Sequence, residues 1–154
     1  MGDYGTGLVV FAVFGIGSQA MLAAYFAARR WLPRQEKRIG WLAYIFALFG
    51  LPLGGWLLLG GQSWKLYIGP IVLGLWSVLG IVVDLWRRVE WRAPINWSVF
   101  LPYVVLYFWA QMLLWWPLWD VWRAAWLCFL VLFTVNTLLN LRGHFGHNRA
   151  GSES

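Results

Sequence analysis

The sequence predicts an all-helical protein, a polytopic bundle of five transmembrane helices with its N-terminus outside and its C-terminus in the cytoplasm. Its 154 residues are 61% hydrophobic and 12% charged, whereas a soluble domain usually carries about a quarter charged residues. The few charges are clustered, so five long stretches contain none. Because a membrane-spanning helix needs roughly 20 apolar residues, this pattern argues against a soluble enzyme, a nucleic-acid-binding domain and a disulfide-linked scaffold.

The uncharged stretches place the helices along the chain. They hold 25, 26, 18, 27 and 18 residues, at 4–28, 39–64, 66–83, 93–119 and 124–141. With their flanking turn residues they predict helices near 6–28, 40–60, 66–86, 98–118 and 121–141, within a single domain at 1–145. Residues 146–154 are predicted to form a disordered tail, because Gly143 and Gly146 disfavour a continuing helix.

The first helix is predicted to stay in the protein rather than to be removed as a signal peptide. The residues before it include the acid Asp3 and no basic residue, whereas a signal peptide begins with a positively charged segment. We therefore expect this helix to be the first of the five in the bundle.

Glycine and proline predict the packing and the shape of the second and third helices. Gly50 and Gly54 form a GxxxG motif, which lets two helices approach closely. Pro52 lies between them and is expected to kink helix two, because proline supplies no backbone N–H. The cluster at 60–63 is typical of a turn before helix three, and Pro70 falls in the first turn of that helix, where proline is tolerated.

The distribution of basic residues predicts the orientation. Ten of the twelve lie in the first loop, the third loop and the tail, which are alternate connections and therefore share one side of the membrane. The opposite side carries only Lys65 and Arg123. Since positively charged loops remain in the cytoplasm, the N-terminus is expected outside and the C-terminus inside.

Uncharged polar side chains within the apolar helices are the candidate ligand-binding residues. Tyr103, Tyr107 and Gln111 are four residues apart and share one face of helix four. In hydrocarbon each phenol or amide needs a partner, so these groups should face the bundle interior or a second protomer. The predicted site is an amphipathic pocket with aromatic walls, formed by Gln19, Trp76, Tyr103, Tyr107, Trp109, Gln111, Asn136 and Asn140. The alternative is that these groups only form hydrogen bonds between helices.

Asp84 is the acid that most invites a functional interpretation, because it lies near the end of the third predicted helix. Arg87 and Arg88 follow at i+3 and i+4, spacings that bring side chains together on a helix surface. We expect a structural ion pair at the membrane interface. Coupling to a proton or a substrate is the alternative, since acids within transmembrane segments are often functional.

The sequence contains no recognisable catalytic motif. His144 and His147 lie beyond the last predicted helix, with no thiol or carboxylate beside them to complete a metal site. Cys128 is the single cysteine and cannot form an internal disulfide. We therefore predict no catalytic residue, no metal and no cofactor, and we favour a protein that is not an enzyme.

Two short stretches resemble the tryptophan-rich sensory protein/translocator family. Residues 96–102, followed by Tyr107, are similar to its Trp-x-Phe-x-Pro…Leu-Tyr stretch, and Asn136 and Asn140 before Arg142 are similar to its late Asn…Arg ending. The 154 residues, 14 tryptophans and five predicted helices match its architecture. The first stretch precedes helix four, whereas the family carries its signature ahead of helix two. The resemblance implies binding of porphyrins or sterol-like ligands.

Two functions follow from these observations. The first is binding or transport of a small hydrophobic or amphipathic ligand in the intramembrane pocket. The second is a non-catalytic accessory or assembly subunit of a larger membrane complex. The expected partners are the lipid bilayer, the small ligand, and a second copy of the chain or other membrane subunits, but no nucleic acid. The small size favours the cytoplasmic (inner) membrane of a bacterium.

Overall fold

The chain is helical throughout the part that the structure describes. The computed structural model describes residues 3–32, 34–86 and 96–150, of which residues 3, 4, 84, 85 and 140–150 are described by their backbone alone. These ranges contain no strand. Their six α-helices are α1 Asp3–Trp31, α2 Glu36–Leu48, α3 Gly50–Leu59, α4 Trp64–Gly80, α5 Trp97–Val121 and α6 Arg123–Ala150. A π-helical turn at Ile81–Trp86 extends α4.

The helices α2 and α3 together form one rod, Glu36–Leu59, interrupted at Phe49. Pro52 has no N–H to donate to the carbonyl of Leu48, so the regular i→i−4 pattern is lost in that turn. The Phe49 N–H instead lies between two acceptors, 3.1 Å from the Phe46 oxygen and 3.4 Å from the Ile45 oxygen. The break therefore lies one turn before the proline at which the sequence predicts a kink.

Four of the five rods in the described ranges are long and apolar enough to cross a membrane. They are Gly5–Trp31, Glu36–Leu59, Trp64–Val83 and Trp97–Val121. In the fifth rod, α6, the residues described with their side chains include an apolar part at Arg123–Leu139. An all-helical protein with five helical rods is thus confirmed for the described residues, and four of the rods have the length and composition of membrane-spanning helices.

The end of α6 differs from its predicted position. The helix continues through Gly143 and Gly146 to Ala150, whereas the sequence predicts an end near 141 and a disordered tail from 146. A glycine within a helix costs about 1 kcal/mol relative to alanine. Two such glycines weaken a helix without terminating it, and the segment contains no proline that would do so.

The rods pack in chain order and the bundle closes on itself. α1 packs against α2, α2 and α3 against α4, α4 against α5, α5 against α6, and α6 returns to α1. α1 also touches α4 and α5, so it lies nearest the centre. The most deeply buried side chains come from all five rods and include Phe11, Leu57, Leu73, Leu114, Leu118 and Phe129.

Glycine allows α4 to approach both of its neighbours closely. A Cβ added at Gly74 would lie 2.6 Å from Cγ of Leu51 on α3, and one at Gly69 would lie 2.9 Å from the backbone carbonyl of Leu113 on α5. Gly54 of the predicted GxxxG motif is equally confined, against Ile71 and the Tyr67 carbonyl. The motif therefore serves contact between α3 and α4 of the same chain.

Candidate functional site

Three amides from three helices meet at the centre of the bundle. The Gln19 side chain of α1 donates its amide N–H to Oε1 of Gln111 on α5. The Asn136 amide on α6 donates to Gln19 Oε1 at 2.8 Å and to the Gln19 backbone oxygen at 3.1 Å. All three side chains are fully buried. We name this group the amide triad.

The triad leaves two of its polar atoms without a protein partner. Gln111 Nε2, a donor, and Asn136 Oδ1, an acceptor, are both buried and unpaired. A buried polar group without a partner costs about 1–3 kcal/mol. The triad thus binds three helices together and still presents one donor and one acceptor.

Four aromatic side chains pack together beside the triad. The Trp76 ring of α4 lies 5.4 Å from the rings of Tyr44 and Tyr103 and 5.5 Å from the ring of Tyr107. The hydroxyls of Tyr44 and Tyr103 share a hydrogen bond of 2.9 Å. Ser77 Oγ donates to the Tyr44 carbonyl at 2.6 Å, which joins α4 to α2. We name the four rings the aromatic cluster.

The two groups are contiguous along α5. Tyr107 of the aromatic cluster and Gln111 of the triad are separated by one helical turn and lie on the same face. Trp76 is 4% exposed, and its indole N–H is buried without a partner. Within the triad and the aromatic cluster, three buried polar atoms thus have no partner among the described residues: two donors and one acceptor, on α4, α5 and α6.

The structure brings together six of the eight predicted ligand-binding residues. Gln19, Gln111 and Asn136 form the triad, and Trp76, Tyr103 and Tyr107 belong to the aromatic cluster.

Trp109 requires a correction, because it lies on the outer surface of the bundle and is 64% exposed. It is two residues from both Tyr107 and Gln111, which on a helix of 3.6 residues per turn places it on the opposite side. It therefore does not line the interior as the sequence predicts.

Four predicted side chains lie outside the described part of the molecule. Arg87 and Arg88 are not among the described residues, and Asp84 and Asn140 are described by their backbone alone. The Asp84 backbone belongs to the π-helical turn. The ion pair predicted between Asp84 and the two arginines stays a prediction.

The sequence analysis does not identify Tyr44, which is 4% exposed and belongs to the aromatic cluster through its contacts with Trp76 and Tyr103. Its signal was available, because a phenol inside an apolar stretch needs a hydrogen-bond partner just as Tyr103 and Tyr107 do. The sequence does not show that Tyr44 lies beside Trp76 and Tyr103, because this depends on how the second rod packs against α4.

The site suits recognition of neutral groups by hydrogen bonding. Among the described residues, the buried polar side chains are all uncharged: Ser18, Gln19, Gln62, Ser77, Gln111 and Asn136. Amides, phenols and an indole donate and accept hydrogen bonds, but they supply no strong acid or base. Within the same residues no group of three metal-ligating side chains lies close together.

Comparison with protein-family models, with curated proteins and with solved structures finds no match for this chain.

Proposed function

We propose that this protein binds a small, neutral, amphipathic molecule inside its helical bundle, at the junction of the amide triad and the aromatic cluster. The observation that carries the proposal is the set of unpaired buried atoms: Trp76 Nε1, Gln111 Nε2 and Asn136 Oδ1. A ligand that accepts from the two N–H groups and donates to the carbonyl would relieve the cost of leaving them unpaired. Transport of the same molecule across or within the membrane would use the same site.

The chemistry of the surrounding side chains restricts the class of ligand that would fit. Aromatic rings supply flat apolar surface, and a few fixed polar groups supply orientation, which is the usual composition of a small-molecule site. The uncharged interior favours a hydroxyl or keto group over a charged group. Of the two ligand classes implied by the family resemblance, the sterol-like class suits these groups better than a porphyrin carboxylate does.

The test is ligand occupancy measured together with stability. The protein is purified in a mild detergent, and bound molecules are extracted into organic solvent and quantified by mass spectrometry. Trp76→Phe removes an indole N–H that bonds to no protein group, and Tyr107→Phe removes one hydroxyl. We expect both variants to lose at least about tenfold in occupancy, while the melting temperature changes by a few degrees or less.

Two further variants complete the design. Trp109→Phe changes an exposed tryptophan on the same helix and should leave occupancy unchanged. Gln111→Leu removes both a bridging and an unpaired group, so it should lower occupancy and stability together. Wild-type occupancy in Trp76→Phe and Tyr107→Phe, or a wild-type protein that carries no molecule in stoichiometric amount, would refute the proposal.

The outer surface of α5 favours a second candidate, an accessory subunit of a membrane complex. Val105, Trp109, Met112 and Trp116 are exposed and follow one another at helical spacing, so they form a continuous apolar stripe. A helix of another subunit would bury this stripe. Reproducible co-purification of a second chain from native membranes, lost on substitution of Trp109 and Trp116 by leucine, would support this function over ligand binding.

We also propose a bacterial inner-membrane location, with the N-terminus outside and the C-terminus in the cytoplasm. The support is the distribution of ten basic residues on one side against two on the other. In this arrangement α6 crosses the membrane as the fifth span.

A further inference from the structure

The turn between α1 and α2 carries a concentrated positive charge. We name residues 29–38 the basic turn: it contains five basic residues and one acid, Glu36. Glu36 Oε1 lies 3.6 Å from Nε of Arg29. The other four basic side chains are all exposed, and they are Arg30, Arg34, Lys37 and Arg38.

Exposed apolar side chains lie within the basic turn and next to it. Trp31 is 62% exposed, Leu32 is 51% exposed, and Trp41 in the first turns of α2 is 45% exposed. The Arg30 guanidinium lies over the Trp31 ring at 5.5 Å from its centroid. Tryptophan of this kind is typical of the boundary between hydrocarbon and headgroups.

We propose that the basic turn binds the phosphate headgroups of anionic phospholipids in the leaflet that it faces. Arginine and lysine donate charge-assisted hydrogen bonds to phosphate, and clusters of four or more beside a transmembrane helix attract anionic lipids. The apolar side chains identify a lipid rather than a free anion as the ligand. Acyl chains would cover Trp31, Leu32 and Trp41, whereas inorganic phosphate would leave them exposed. This site is separate from the bundle interior and does not depend on the ligand proposed there.

The opposite end of the bundle provides an internal comparison. Its two basic residues are each engaged: Lys65 Nζ lies 3.7 Å from Asp120, and the Arg123 guanidinium lies over the Trp119 ring at 5.2 Å. Among the described side chains, one of its two cations is therefore paired with an acid, whereas four of the five in the basic turn are not. Anionic lipid should accordingly prefer the basic turn.

Native mass spectrometry of the purified full chain tests the proposal. The protein is titrated with phosphatidylglycerol and with phosphatidylcholine of the same acyl chains. We expect phosphatidylglycerol to bind more tightly. Each basic residue near the membrane surface strengthens binding of anionic lipid by roughly fivefold. The variant Arg34→Gln/Lys37→Gln removes two of them and should weaken phosphatidylglycerol binding by about 25-fold.

A matched control removes the same number of charges elsewhere. Lys65→Gln/Arg123→Gln lowers the net charge equally and should change phosphatidylglycerol affinity less than threefold. If the Arg34→Gln/Lys37→Gln variant does not fold, the wild-type affinity for phosphatidylglycerol should still fall steeply with salt concentration, because the contacts are exposed ion pairs.

Three outcomes would overturn the proposal. They are equal affinity for the two lipids, salt-independent binding of phosphatidylglycerol, and competitive displacement of phosphatidylglycerol by inorganic phosphate at comparable concentration. The last result would identify a site for free anions.

Discussion

Gln19 is the residue on which most of the polar organisation depends. Its side chain donates to Gln111, and its two oxygens accept from Asn136. One side chain thus joins α1 to both α5 and α6. In hydrocarbon such bonds contribute on the order of 0.6–2 kcal/mol each, and loss of a partner leaves an amide buried and unsatisfied.

Asn136→Leu should therefore lower the free energy of unfolding by about 1–3 kcal/mol, since it leaves the oxygens of Gln19 without their donor. Reversible unfolding in mixed detergent measures the change. Thr134→Val is the matched control, because Thr134 is exposed and its hydroxyl donates to the Leu130 carbonyl of its own helix. Equal stability of the two variants would mean that the triad contributes nothing to the fold.

At this scale the sequence predicts the polar residues better than the aromatic ones. An amide within an apolar helix is conspicuous, and its need for a partner predicts an interior position for Gln19, Gln111 and Asn136. Tryptophan is ambiguous, because it suits both the interior and the lipid boundary. Residue type alone therefore does not separate Trp76 from Trp109. The spacing along α5 does place Trp109, because two residues from Tyr107 is the opposite face of the helix.

The helix α4 is the element that organises the bundle, because it contacts the second rod on one side and α5 on the other. Its glycines permit this. The backbone of α5 lies so close at Gly69 that an added methyl group would overlap the Leu113 carbonyl. Dispersion contacts over such close surfaces are a principal source of helix association in membranes.

Gly69→Ala should destabilise the protein by about 1–3 kcal/mol, because a backbone atom cannot move aside as a side chain can. Gly55→Ala should be neutral or stabilising by up to about 1 kcal/mol, since nothing lies within 4 Å of its added methyl group and alanine is the better helix former. Thermal unfolding of both variants distinguishes the effects. A Gly55 variant as unstable as the Gly69 variant would contradict the packing described.

The sequence predicts some features of the helices and not others. The uncharged stretches predict five rods, because a helix that crosses a bilayer must have a certain length and few or no charges. The π-helical turn after Gly80 has no corresponding signal in the residues themselves; it begins next to the glycine against which the Tyr44 ring packs. The interruption at Phe49, in contrast, follows directly from Pro52.

At the scale of the whole molecule, the number of membrane crossings depends on the last helix, α6. Four rods meet the length and hydropathy that crossing requires, and α6 has a 17-residue apolar part. At 1.5 Å per residue this part spans about 25 Å, close to the roughly 30 Å of a hydrocarbon core. Its packing against both α1 and α5 favours crossing.

A reporter fused after Ser154 should accordingly be active only if it functions in the cytoplasm, and a periplasmic reporter at the same position should be silent. A second fusion after Gln62, in the turn between α3 and α4, should give the opposite pattern. Periplasmic activity at both positions would mean that α6 does not cross.

The return of α6 to α1 has a consequence for biosynthesis. Asn136 leaves the ribosome 117 residues after Gln19, which at 5–20 residues per second is a delay of roughly 6–23 seconds. During that interval the side-chain oxygen of Gln19 lacks its donor, whereas the backbone oxygen already accepts an N–H within α1. A chain that stalls before α6 would therefore keep the Gln19 amide oxygen without a donor, a cost that synthesis of the last helix removes.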